Sequence, residues 1–190
     1  MPTPRVMLLT SLIVAAALSR LAPHPQNVAP ITAMTLFAAA YLPSRRCSVA
    51  LPLAAMLLSD IVLYATKDAA FQDVMFITAL WVYSAILVIA GIGQWLRARP
   101  SVARIVGTTV VGSVVFFLIT NFAAWVAFDR LYPRSLGGVL ECYVVGLPFF
   151  RNTILGDLVY SGMLFGGFAL LERAVPQLQV TREEARPEAA

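Results

Sequence analysis

What most constrains this chain is how thoroughly charge is kept out of its long apolar runs. Val74–Leu96 carries no charged residue, and Val6–Ala22, Val49–Ala65, Ala103–Phe128 and Ile154–Leu171 carry one apiece. A helix crossing the hydrocarbon core of a bilayer needs about 20 mostly apolar residues. These five stretches meet or approach that length. Composition agrees: the 190 residues are 59% hydrophobic and 13% charged, with mean hydropathy +0.80. Soluble domains carry about a quarter charged residues. A water-soluble globule and a disordered chain are both excluded.

A sixth segment, Val28–Leu42, is short and carries Pro30 in its first turn, where the missing N–H is no loss. The expectation is an all-α integral membrane protein, a six-transmembrane-helix bundle filling residues 1–172, with a polar cytoplasmic tail over 173–190. If the second segment is re-entrant, five crossings remain and the ends lie on opposite sides. Pro52 falls near the start of the third segment. Between the fifth and sixth spans, Asp129–Thr153 is apolar enough to form a helical or re-entrant outer loop. Gly137, Gly138, Gly146 and Pro148 would bend it into a lid over the bundle. No internal repeat is evident, and the first run reads as a retained span rather than a cleaved signal peptide.

The net charge of +4 reads as orientation within a membrane, with no nucleic-acid partner. With the N-terminus inside, Arg5, Arg45, Arg46, Arg97, Arg99, Arg104, Arg173, Arg182 and Arg186 fall inside. Arg20, Lys67, Arg130, Arg134 and Arg151 fall outside or at outer helix ends. The positive-inside rule then places both termini in the cytoplasm. Cys47 and Cys142 are too few and too far apart for a disulfide framework or a metal motif.

Ionisable and amide side chains inside a membrane are costly and mark function by default. In this orientation Arg20, Asp60, Asn121, Trp125, Asn152 and Asp157 come to one outer layer, joined by His24 and Asn27 from the first outer link. Aromatic walls with a few convergent polar groups suit a small-molecule pocket. The plainer reading is that Arg20 pairs with Asp60 or Asp157 and that the amides tie helices together. His24, between Pro23 and Pro25, is a ligand contact or simply a satisfied loop residue. Ser11, Ala15 and Ser19 form a small-residue face that admits a close helix, from this chain or from a partner membrane protein. No nucleotide-binding, zinc-protease or serine-hydrolase motif is present. Neither catalysis nor a metal nor a cofactor is expected. Two rival readings stay open: a membrane scaffold of the cell-shape kind, and an intramembrane hydrolase using Asp60 with Asp157.

The stretch Arg20-Leu21-Ala22-Pro23-His24-Pro25-Gln26-Asn27-Val28-Ala29-Pro30-Ile31 resembles a family of uncharacterised bacterial membrane proteins. So do Leu58-Ser59-Asp60, Phe116 to Phe122, Tyr132-Pro133 and Pro148 to Thr153. That family is similar to the S components of energy-coupling-factor vitamin transporters. The resemblance implies a multi-pass protein of the bacterial inner membrane that binds a vitamin-like small molecule from outside. It also implies a transmembrane coupling protein with ATPase subunits as partner, docking on Ser11, Ala15 and Ser19.

Overall fold

The structure is a computed structural model, which describes residues 3–97 and 99–179. Most of the predicted tail, including Arg182 and Arg186, therefore lies outside the described residues. The described chain is helical, with five helices long and apolar enough to cross a membrane. They are α1 (Pro4–Leu18, extended by a 3-10 turn at Ser19–Leu21), α3 (Arg45–Thr66), α4 (Ala69–Gly93, extended through Leu96), α5 (Val102–Ala127) and α6 (Leu136–Ala174). Each starts at a residue whose side chain caps it. Thr3, Ser44, Asp68, Ser101 and Ser135 accept from backbone N–H groups of the first turn, which otherwise have no intrahelical partner.

The predicted second span is the exception. It forms α2 (Ile31–Tyr41), only 11 residues long, or about 16 Å against roughly 30 Å of hydrocarbon. Every residue from Ile31 to Ala40 is buried. This helix is therefore the core of the bundle and has no face for lipid. Its small residues allow the close approach. A Cβ on Gly93 would lie 2.6 Å from Ala39 Cβ, and one on Gly112 would lie 2.5 Å from Thr32 Cγ2. Around α2, Leu9, Ile13, Ile86, Ile89 and Phe168 complete the interior. The outer surface is apolar, with Phe76 and Leu80 each 79% exposed, as lipid-facing helices require.

The extended link Ala22–Pro30 and α2 together bring the chain back along α1. Arg5 at the start of α1 pairs with Glu172 near the end of α6 and donates to the Leu178 carbonyl. Its guanidinium also lies over the rings of Tyr41 and Phe168. Both described ends of the chain thus meet at one end of the bundle, so the short α2 does not put them on opposite sides.

Two local expectations are corrected. Helix α3 begins at Arg45, so Pro52 sits inside it rather than in its first turn. The expected lid does not form either: Leu136–Phe150 is the first half of α6, which runs for 39 residues, about 58 Å. Two of the three glycines that were expected to bend it, Gly138 and Gly146, serve packing instead. A Cβ on Gly138 would lie 2.0 Å from the Pro133 carbonyl oxygen, and one on Gly146 would lie 2.3 Å from Asn121 Oδ1. The chain continues as helix through Pro148, and it relaxes only at a π-helical turn, Gly162–Gly166.

Candidate functional site

Three prolines, Pro23, Pro25 and Pro30, keep the link between α1 and α2 from continuing as helix. Residues Leu21 to Asn27 are exposed. The link is nonetheless pinned. Val28 N–H donates to the Pro25 carbonyl at 3.1 Å, and Asn152 Nδ2 donates to the Gln26 carbonyl at 3.0 Å. Val28 and Ala29 rest on Gly156 of α6, where a Cβ would come within 3.1 Å of Val28 Cγ1. The His24 ring folds back, with its nitrogens 2.9 and 3.2 Å from the Pro25 and Arg20 carbonyls. Asn27 holds a left-handed backbone, φ 62°, which asparagine tolerates better than most residues.

Below this link lies the charge pair. Arg20 Nη1 donates to Asp60 Oδ1 at 2.8 Å and to Ser59 Oγ at 2.5 Å, and it touches Met56 Sδ. Tyr83 donates its hydroxyl to Asp60 Oδ2 at 2.9 Å. The two charged side chains are only 12% and 11% exposed. One neutral cluster thus joins α1, α3 and α4. Mutual neutralisation with full hydrogen bonding is the condition for keeping charge in a low-dielectric interior.

Asp157 belongs to a second cluster. It is 1% exposed, and Ser113 Oγ donates to its Oδ2 at 2.7 Å. Thr109 and Ser161 share a hydrogen bond of 2.9 Å one turn further along the α5–α6 seam. Asp157 also faces the start of α2, where the Thr32 hydroxyl and the N–H groups of Thr32 and Ala33 approach the carboxylate. Its Oδ1 has no bond of full hydrogen-bond geometry. Helix α2 has Pro30 in place of a capping side chain. The Asp157 carboxylate of α6 lies near this uncapped end and suits the positive end of the helix dipole.

Asn121 and Trp125 form a third group, away from the link. Asn121 Nδ2 donates to the Phe117 carbonyl at 2.9 Å, and Cys142 Sγ donates to the Asn121 carbonyl at 3.3 Å. Trp125 Nε1 donates to the Pro133 carbonyl at 3.0 Å, while the Arg134 guanidinium lies 5.4 Å from the Trp125 ring centroid. Phe117 stacks on Phe150 at 4.4 Å. These contacts close the α5–α6 hairpin and its connector.

The eight predicted site residues therefore divide by location. Arg20, His24, Asn27, Asp60 and Asn152 cluster at and just under the link. Asp157 lies behind it, near the start of α2, and Asn121 with Trp125 lies in the hairpin. Asp60 and Asp157 share no hydrogen-bond partner. Of the small-residue face, Ser11 and Ala15 are exposed, whereas Ser19 bonds to the Tyr160 hydroxyl at 3.0 Å. The sequence alone gave no site role to Ser59, Tyr83, Ser113 or Thr32. Each is a hydroxyl in a mostly apolar run, a signal shared with many other positions.

Two clefts lie at the opposite end of the bundle from the link. One of about 760 Å³ runs between α4 and α5, lined by Trp95, Leu96, Arg104, Gly107 and Val111. The other, about 390 Å³, lies where α1 begins. Neither coincides with the predicted layer. Among the described residues, no group of three or more His, Cys, Asp or Glu side chains is placed to hold a metal ion.

Comparison with known proteins gives one finding. The model of a family described as "Family of unknown function (DUF6580)" matches residues 1–178, nearly the whole chain, and the chain belongs to that family. No curated protein and no solved structure matches.

Proposed function

We propose that this member of the DUF6580 family is a substrate-binding membrane subunit that takes up a vitamin-like small molecule, held on the link between α1 and α2. The observation that carries this reading is the link itself. It is an exposed polar segment with a left-handed Asn27, pinned by Asn152 and Gly156 beside an otherwise apolar bundle. Left-handed non-glycine residues persist where the surroundings hold them, and they cluster at ligand clamps. Beyond the level of Ser113, helix α5 continues to Ala127 for about 21 Å along its axis, with α6 beside it. The α5–α6 hairpin thus rises beside the link.

The chemistry of the link indicates the class of guest. Arg20 and Asp60 neutralise one another, so the link carries no net charge to recruit a strong anion. Gln26, Asn27 and Asn152 offer amide donors and acceptors beside proline rings and the His24 ring. A polar, neutral or zwitterionic molecule suits that mixture. No reaction is assigned; the reading is capture, with the bacterial inner membrane as location and both termini cytoplasmic. By resemblance to S components, a coupling protein with ATPase subunits would then dock on the exposed Ser11 and Ala15 of α1.

A second reading, a non-transport membrane scaffold, is favoured by one specific observation. The polar groups of Arg20, Asp60, Ser59 and Tyr83 close on each other, as a rigid tie would require. Deletion of the gene separates the two. Uptake predicts a growth requirement relieved by one compound of a vitamin panel, with normal cell shape. The scaffold predicts altered shape with no nutrient requirement.

A further inference from the structure

At the end of the bundle where α1 begins and α2 stops, the cleft of about 390 Å³ is lined by Thr3, Arg5, Tyr41, Pro43, Arg97 and Pro100, among others. Arg97 follows the 3-10 turn that ends α4. Its Nη1 donates to the carbonyl of Pro43, another lining residue, at 2.8 Å. Its Nε and Nη2 are buried and have no hydrogen-bond partner among the described residues. Leaving two N–H donors of a cation withdrawn from water and unpaired is costly.

Nothing described nearby offsets that charge. The ion pairs among the described residues are Arg5 with Glu172 and Arg20 with Asp60, so the local carboxylate is already taken by Arg5. Arg45 adds repulsion. Burial first, and then Arg45, push the Arg97 guanidinium down from its usual value. A guanidinium fork is matched by two oxygens of one anion.

We propose that this cleft is a phosphate-type anion site. The Arg97 fork takes two oxygens of a phosphodiester or phosphate monoester, and the Tyr41 hydroxyl and Arg5 flank it. Val6, Ala40 and Leu42 line the same cleft and give an apolar wall for whatever the phosphate is attached to. The ligand chemistry has two sources, the headgroup of an anionic phospholipid and a free phosphate compound. The site lies at the arginine-rich end, away from the link, and does not depend on the uptake reading.

The test uses the full chain in mixed phosphatidylcholine–phosphatidylglycerol nanodiscs, with bound lipid counted by native mass spectrometry. Inorganic phosphate is titrated separately against the detergent-solubilised protein. Arg97→Gln removes the fork, and Arg46→Gln removes an exposed charge of the same end as a control. Selective retention of phosphatidylglycerol, cut about tenfold or more by Arg97→Gln and untouched by Arg46→Gln, identifies a lipid headgroup. Saturable phosphate binding with the same Arg97 dependence, and no lipid selectivity, identifies a soluble phosphate compound. If Arg97→Gln fails to fold, Arg97→Lys and Tyr41→Phe are read instead, each expected to weaken binding severalfold. Binding of neither probe, or binding equally reduced by the two glutamine variants, overturns the proposal.

Discussion

Each long run but one carries a single charge, and in two of the runs that charge is an acid at a helix junction. Asp60 holds Arg20 and Tyr83; Asp157 holds Ser113 and the start of α2. Replacing Asp60 by alanine strands Arg20 in a half-dry site, and a loss of about 2–3 kcal/mol is expected by thermal unfolding in detergent. The double replacement Arg20→Met with Asp60→Leu removes both charges and should recover most of that loss. Equal destabilisation by the single and double variants would show the two charges to be uncoupled. Ser113→Ala should cost about 0.6–1 kcal/mol, the scale of one interhelical hydrogen bond in a membrane. The sequence made the charged partners legible because an isolated charge in an apolar run must find a partner. It left their hydroxyl partners hidden, because Ser113 looks no different from the exposed Ser11.

Among the elements, the long helices were legible because length and hydropathy alone identify them. Helix α2 and the first half of α6 were not, for opposite reasons. A short apolar helix buried on all sides and a short span look alike in sequence. Glycines that admit a neighbour look like glycines that permit a bend. The structure separates the two roles. Gly138→Ala pushes a methyl against the Pro133 carbonyl and should destabilise by about 1–3 kcal/mol, as overpacking does. Gly107→Ala meets nothing within 4 Å and should be neutral or stabilise by up to about 1 kcal/mol, through helix propensity. Circular dichroism melts of the two variants side by side check the contrast; equal midpoints would contradict it.

For the whole molecule, five long helices surround the short, buried α2, and the link with α2 returns the chain along α1. The same-end placement of Arg5 and Glu172 follows. Orientation in the membrane rests on the arginines, and the native cysteines report it. Cys47 is exposed beside Arg45 and Arg46, and Cys142 is buried. A membrane-impermeant maleimide should label Cys47 in inside-out vesicles, spare it in right-side-out ones, and leave Cys142 unlabelled in both. What the sequence suggested as one outer polar layer is in fact three groups, since helix tilt and rotation decide which polar side chains meet. Of the three, the group at the link is the one whose His24 and Asn27 are exposed. The most direct test of that group is small-molecule mass spectrometry of the purified protein, repeated for the His24→Ala, Asn152→Ala double variant after incubation with a vitamin panel. The account predicts one compound retained by the parent protein and lost from the variant. No compound retained, or equal retention by both proteins, would contradict it.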